Sequence, residues 1–596
     1  MGEDQRNLFI ALGLILVILT GYQMFVMGPA EEERRAEREA ALEAAGEDIV
    51  DPDLPASSLE PAAPTTVDRE TALTGNARVT IDAPAVLGSL SLTGARLDDI
   101  RLRRHTETID DDTPVALLNP IGSDHVFYAR DGWTSGTPGF TDLPGGSTEW
   151  TLASGSTLTP DTPITLTYDS PSGLAFRRVI SVDDNYLFTL TDTVTNNSGE
   201  EVELSRYGLV RHEGRPEDET RNMAIFEGAL AVVEGAMTRT SFGKLEDGDQ
   251  TEVSGTGGWV SITQRYWMAA AVPDQDRPFT ARFRTIERGE TDAFEASYVE
   301  QAIAVPSGES LSSTTRIFAG AKEMDVLQQV QNEVGIERFD MAINWGWLWF
   351  LTRPFVWLLT MLEGALGQFG LAILALTLMV KIVMFPLANR AYASMAKMKA
   401  VQPKMAELKE RYAADQQKQQ QALMELYKTE KINPLAGCLP ILPQIPIFFA
   451  LYQTLFNAIE MRHAPFFGWI RDLSAADPTN IWNLFGLIPY DPSGLWLIGG
   501  VLGIGAWPII MGLTMAAQQA LNPPPPDPMQ ARIFAFLPIV FTFILAPFAA
   551  GLVIYWAWNN FLSVLQQYII MRRHGNETQV DKLVARLMKR GGGDES

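Results

Sequence analysis

Lys381 lies inside the apolar run Phe369–Leu387 (FGLAILALTLMVKIVMFPL) and is the one charged residue there. An ammonium near the centre of a membrane helix costs roughly 2.5–3.5 kcal/mol on insertion scales, so such a residue turns toward water or a partner. No acid in the run can neutralise it. Thr377 lies one turn earlier on the same helix face, which extends the cation into a polar stripe. A plainer reading stands beside this one. Leu387 is six residues further on, roughly 9 Å along a helix, and a lysine stem can snorkel toward the headgroups. The chemistry on offer is electrostatic attraction of polar or acidic groups, without bond making.

Other chemistry finds little support. Cys438 is the only cysteine, which excludes intramolecular disulfides and cysteine-cluster metal sites. The five histidines are not spaced as metal ligands, so neither metal nor cofactor is expected. His212-Glu213 could be drawn as an acid–base pair, but a polar exposed turn is the simpler expectation. Nucleophile and phosphate-loop motifs are not found between residues 76 and 330.

The elements that must carry Lys381 follow from composition. The chain has 596 residues and a net charge of −25. Residues 28–340 contribute about −29 of this, so the remainder is slightly basic. The acidic part is a poor nucleic-acid binder. Asn7–Met27 is uncharged and long enough to span a bilayer. No Ala-x-Ala site follows it, so residues 1–27 read as an uncleaved anchor. Residues 28–75 read as a linker, with helix formers over Glu31–Ala45 and then a Pro/Ala/Ser-rich stretch. Residues 76–335 read as an antiparallel β-sandwich. Phe188, Leu190 and Val194 share a strand face, and Phe279, Ala281 and Phe283 alternate with polar residues. Residues 336–360, dense in Trp, read as an amphipathic helix lying at the membrane interface; the alternative is that these Trp pack against the sandwich. Residues 361–574 hold five spans, near 362–387, 435–458, 496–520, 532–548 and 550–571. Prolines 440, 443 and 446 should kink the second, and Gly499-x-x-x-Gly503 is a weak packing signal in the third. Residues 575–596 form a tail.

The segment 389–433 carries about nine basic and five acidic residues, and the stretch after Met571 about six and four. The positive-inside rule puts both in the cytoplasm. Parity then places both termini inside and the β domain outside. Met395, Met398 and Met405 recur at helical spacing, as do Leu423, Leu426 and Tyr427, which predicts a helical hairpin. Its methionines either present an adaptable surface or fill the seam between the two helices.

Several motifs together resemble the YidC membrane-protein insertase family. They are Ala393-Ser-Met-Ala-Lys-Met398, Gln402-Pro403, Leu426-Tyr-Lys-x-Glu-Lys-x-Asn-Pro-Leu435, Gly437-Cys438 and Gln444-x-Pro446. Ala464-Pro465, Asp472-Leu-Ser-Ala, Asp527-Pro-Met-Gln530, Gly551-Leu-Val-Ile-Tyr555 and Gln566-Gln567 continue the likeness. It covers 341–571, and the β domain matches the long Gram-negative form in position and size. The resemblance implies a polytopic α-helical protein of the bacterial inner membrane with six spans. Five of them form an insertase core beside a large periplasmic β-sandwich. It implies a hydrophilic groove open to the cytoplasm and lipid, with a cation that corresponds to Lys381. Many members have Arg there; Lys keeps the charge but loses the planar fork.

Within that frame Thr377, Gln444, Gln518, Asn559 and Asn560 are the candidate polar lining. Tyr555 and Trp556, on the lipid-exposed side, are the candidate contacts for a substrate helix. The implied function is insertion and folding of membrane proteins, by a chaperone that is not an enzyme. The implied partners are nascent membrane proteins, lipids, the Sec translocon, the ribosome and targeting factors. A transporter or channel is the rival reading, weakened by the missing inverted repeat. A tethered periplasmic enzyme is the other rival; a sandwich like those of sugar mutarotases would not by itself carry activity.

Overall fold

The computed structural model describes residues 67–216, 219, 225–286, 291–413, 415–430, 441–480, 484, 504–521 and 528–573. The anchor, most of the linker, Cys438, Gly499, Gly503 and the tail fall outside these.

Alternating apolar residues build two antiparallel-rich sheets, of eleven and nine strands. In the smaller sheet, strand Leu187–Asn196 pairs with Leu174–Val182 on one side and Ser310–Ala321 on the other. Phe188, Leu190 and Val194 are fully buried there. In the larger, Val202–Glu213 lies between Phe127–Ser135 and Ala293–Glu300. The core between the sheets also contains charge. Arg178 binds Asp192 through two nitrogens, at 2.8 and 2.7 Å, and Asp192 accepts Trp133 Nε1 at 2.8 Å. Arg206 reaches Asp131 and the Ser313 carbonyl. Arg178, Asp192, Arg206 and Asp131 thus each have an opposite partner, the condition for tolerating a buried charge.

Three expectations change at the edges of this domain. Residues 67–75, read as linker, already belong to it: helix Arg69–Leu73 is fixed by Arg69 Nε to Asn119 Oδ1 at 2.8 Å. Residues 336–348 are not part of an interfacial helix. Ile343 and Trp345 are buried in the sandwich core, and Trp345 Nε1 donates to the Asp340 carbonyl at 3.0 Å. His212 is no exposed turn either. It is the penultimate residue of its strand, buried between the rings of Phe127 and Phe242, with Nδ1 2.8 Å from the Gly214 carbonyl.

Seven long helices follow among the described residues: α1 (Trp349–Leu366), α2 (Phe369–Arg411), α3 (Gln416–Thr429), α4 (Ile441–Asn457), α5 (Ala506–Leu521), α6 (Pro528–Leu545) and α7 (Ala550–Arg573). On α1, Trp349 and Trp357 are exposed, at 56% and 64%. Arg353 on the same helix pairs with Asp340 at 2.6 Å, joining α1 to the β domain. The apolar part of α2, Phe369–Ala393, is long enough to cross a bilayer, and α6 contains a shorter apolar stretch. α2 does not stop near 387. It runs for 43 residues in all, through Pro386 and Pro403 into the hairpin. Each proline removes one helical N–H without forcing the helix to end. Further contacts join the helices to the β domain. Arg462 donates to the Thr106 carbonyl at 2.7 Å, and Gln453 Nε2 to the Asn344 carbonyl at 2.6 Å.

Burial pushes the His212 imidazole down to about 4, against roughly 6.5 when unfolded. The unfolded chain therefore takes up its proton first as pH falls. The contribution of His212 is complete above pH ~6.5 and is lost progressively toward pH ~4, on the order of a few kcal/mol. Thermal unfolding of the detergent-solubilised protein should show this slope, and His212→Asn should flatten it. An unchanged slope would contradict the assignment.

Candidate functional site: a polar pocket within the helices

Lys381 is twelve residues from each end of the apolar stretch Phe369–Ala393. That is roughly 18 Å of helix either way. Its side chain does not run along α2. Nζ crosses to α7 and donates to Ser563 Oγ at 2.6 Å. Ser563 in turn donates to the Asn559 carbonyl at 2.8 Å. Ile382 and Val383, on the other side of α2, are exposed, as expected of a lipid-facing surface.

The ammonium faces a pocket lined by Thr377, Gln444, Tyr555, Asn559 and Gln566 among others. About 40 Å³ of it is open to the centres of water molecules, while one water needs roughly 10–15 Å³. The pocket thus has room for a few waters beside the charge. Thr377 is buried, and its hydroxyl donates to the Ile373 carbonyl at 2.7 Å, leaving only lone pairs for the pocket.

Helical geometry decides which expected residues meet. On α7, Tyr555, Asn559, Ser563 and Gln566 fall on one face at steps of four, four and three. Val553 and Ala557 are on another face, packed with Met511 of α5 and Leu545 of α6. Asn560 is rotated about 100° from Asn559 and does not line the pocket; its Nδ2 has no hydrogen-bond partner among the described residues. Gln518 is half-buried on α5, also outside the lining. Both corrections share a cause: a polar residue in an apolar run does not reveal its azimuth. Ser563, Gln566 and Tyr392 border the Lys381 site without having been singled out. The i, i+4 spacing of Asn559 and Ser563 was the available signal.

Tyr555 and Trp556 are not on an open lipid face. Tyr555 is buried and stacks on Phe448 of α4, with centroids 6.4 Å apart. Trp556 is half-buried, its ring 4.8 Å from Phe448 and 5.7 Å from Phe541. Aromatic packing between α4, α6 and α7 draws both inward.

In the hairpin, Met405 Sδ is 3.8 Å from Tyr427 Oη, and Met398 is half-buried. Met405 therefore fills the seam. Lys404 and Glu430 pair across it at 2.7 Å. Met424 is an exposed methionine there, and the Met395 side chain lies outside the described residues.

One end of the pocket is closed. Phe369, Ile373, Leu455, Met461, Leu473 and Ile554 form an apolar plug near the N-termini of α2 and α7. The segment 459–480 seals it: Gly551 N donates to the Leu473 carbonyl at 2.9 Å. Asp477 holds this segment to α5. Its Oδ1 accepts Trp469 Nε1 at 3.0 Å and Thr479 Oγ1 at 2.7 Å, and its Oδ2 accepts the Trp507 N–H at 2.8 Å. It thereby satisfies a free donor at the start of α5.

The profile described as "60Kd inner membrane protein" matches residues 361–577, and "YidC periplasmic domain" matches 78–358. The membrane protein insertase YidC of Maricaulis maris (strain MCS10) is 93% identical over 594 residues, covering 100% of both chains. The chain belongs to the YidC membrane-protein insertase family. Its relative from Methylorubrum extorquens (strain PA1) is 46% identical over 616 residues, covering 99% of each. A solved structure of an active YidC insertase, with the first transmembrane domain resolved, covers 85% of this chain and 94% of that one. The match has a TM-score of 0.35 and 15% identity. The protein is thus a non-enzymatic membrane-protein insertase and chaperone of the bacterial inner membrane, and its β domain is periplasmic.

Asp477→Ala leaves several donors unpaired, a loss of about 1–3 kcal/mol. Thermal unfolding in detergent should show a lower midpoint for Asp477→Ala than for Asp477→Asn. Equal midpoints for wild type and Asp477→Ala would contradict the seal.

Proposed function

We propose that the insertase works through a cytoplasm-open polar groove, with Lys381 as its fixed positive charge. The observation that carries this is the ammonium at mid-span, turned into a pocket shared with Thr377, Gln444 and Asn559. A nascent span must carry its polar flank through hydrocarbon, and a wet groove reaching part-way shortens that path. The plug at 459–480 keeps the groove from becoming a pore. The apolar span then leaves sideways into lipid, favoured by roughly 25 cal/mol for each Å² of apolar surface removed from water. Tyr555 and Trp556 act from within as an aromatic wall of the groove.

The domain arrangement fits this reading. Residues 1–27 anchor the chain, 28–66 link, and 67–348 form the periplasmic sandwich. Residues 349–360 lead along the interface, and 361–574 provide five spanning helices. With the anchor this gives six spans, both termini in the cytoplasm, and the 389–433 hairpin there too. The basic excess of 389–433 supports that side. The hairpin, with Met395, Met398, Met405 and Tyr427, is placed to meet the ribosome, targeting factors or the Sec translocon.

In proteoliposomes, Lys381→Glu should lower insertion of a substrate with an acidic translocated segment by about tenfold or more, a difference of ~1.4 kcal/mol. Lys381→Arg should stay near wild type. Equal insertion by the Glu and Arg variants would refute the role of the charge.

A further inference from the structure

We infer that Ser563 is a positioning residue for the insertion reaction: its hydroxyl fixes the Lys381 ammonium so that the remaining N–H bonds are free for a carboxylate in the segment being translocated. This rests on the reading of Lys381 above and deepens it.

The hydrogen-bond directions carry the argument. A serine hydroxyl has one proton and two lone pairs. The Ser563 proton is used within α7, on the Asn559 carbonyl at 2.8 Å. Only lone pairs then face Lys381, whose Nζ is 2.6 Å away. Ser563 therefore accepts from Lys381 and has no proton left for a substrate. It is 1% exposed, so an incoming chain does not touch it. It acts through Lys381.

The ammonium has three donors, and Ser563 takes one. Among the described residues no Asp or Glu pairs with Lys381. A neutral acceptor positions the cation without cancelling it. A carboxylate in place of Ser563 would hold the amine equally well but would compete with every acidic substrate. The need for such an anchor follows from the residue type. Lysine is a point charge on a flexible four-carbon stem, whereas an arginine fork is pre-organised by its own plane. The anchor therefore matters to a lysine at 381 more than it would to an arginine.

The test uses the full-length protein in liposomes and one single-span substrate in two versions, with an acidic or a neutral translocated segment. The readout is the ratio of acidic to neutral insertion. Ser563→Ala should lower this ratio by about tenfold, the scale of one hydrogen bond to a charged group. Ser563→Thr, which keeps the hydroxyl, should restore it. In a Lys381→Arg background, Ser563→Ala should change the ratio much less. A merely structural role would lower both insertions together and leave the ratio alone, which would overturn the inference. So would an unchanged ratio in Ser563→Ala while Lys381→Glu still shifts it. If Lys381→Glu leaves the ratio unchanged, the reading of Lys381 falls and this inference falls with it.

Discussion

Keeping one ammonium charged in the middle of an apolar helix is the constraint that organises the helical half of this protein. The cost is of the order of 2.5–3.5 kcal/mol without a favourable environment. α7 supplies that environment by turning Asn559, Ser563 and Gln566 toward α2. The hydroxyl of Ser563 holds the amine, and space for a few waters lies beside it. A full ion pair would remove the net charge that the proposed role of Lys381 requires.

The rest of the helical region gives this pocket an end and a wall. Apolar residues of α2, α4 and α7 close it on one side, and Asp477 ties the sealing segment to α5. The aromatic set Phe448, Tyr555, Trp556 and Phe541 joins three helices along its flank. The outer faces of α2 and α6, by contrast, leave Val383, Phe536 and Ile539 exposed. The β domain is not loosely tethered. Arg353, Arg462 and Gln453 bind backbone or side chain across the junction, so a displacement of the domain would load the starts of α1 and α4's C-terminal loop.

Legibility in the sequence followed a physical rule. A charge in a long apolar run is rare, so Lys381 stood out, and Thr377 followed from the one-turn spacing. Strand alternation revealed the sandwich through Phe188, Leu190 and Phe279. What stayed hidden was orientation. Gln518, Asn560, Trp556 and Ser563 are all polar or amphipathic residues of apolar helices, and only packing shows which of them turns inward. The same holds for Trp345, which the sandwich core absorbs while Trp349 and Trp357 stay exposed. His212 was misplaced for a related reason: with its polar neighbour Glu213 it read as an exposed turn, while Phe127 and Phe242 enclose it from distant parts of the chain.

The central claim is that the centre of α2 meets water from the cytoplasmic side. Cysteine labelling tests it directly, with Cys438 replaced by Ser and Lys381 by Cys. A charged, membrane-impermeant maleimide should label position 381 in inverted inner-membrane vesicles and fail to do so in spheroplasts, where only the periplasmic face is offered. A cysteine at exposed Lys404 serves as the positive control. Labelling at 404 with none at 381 in inverted vesicles would contradict the account.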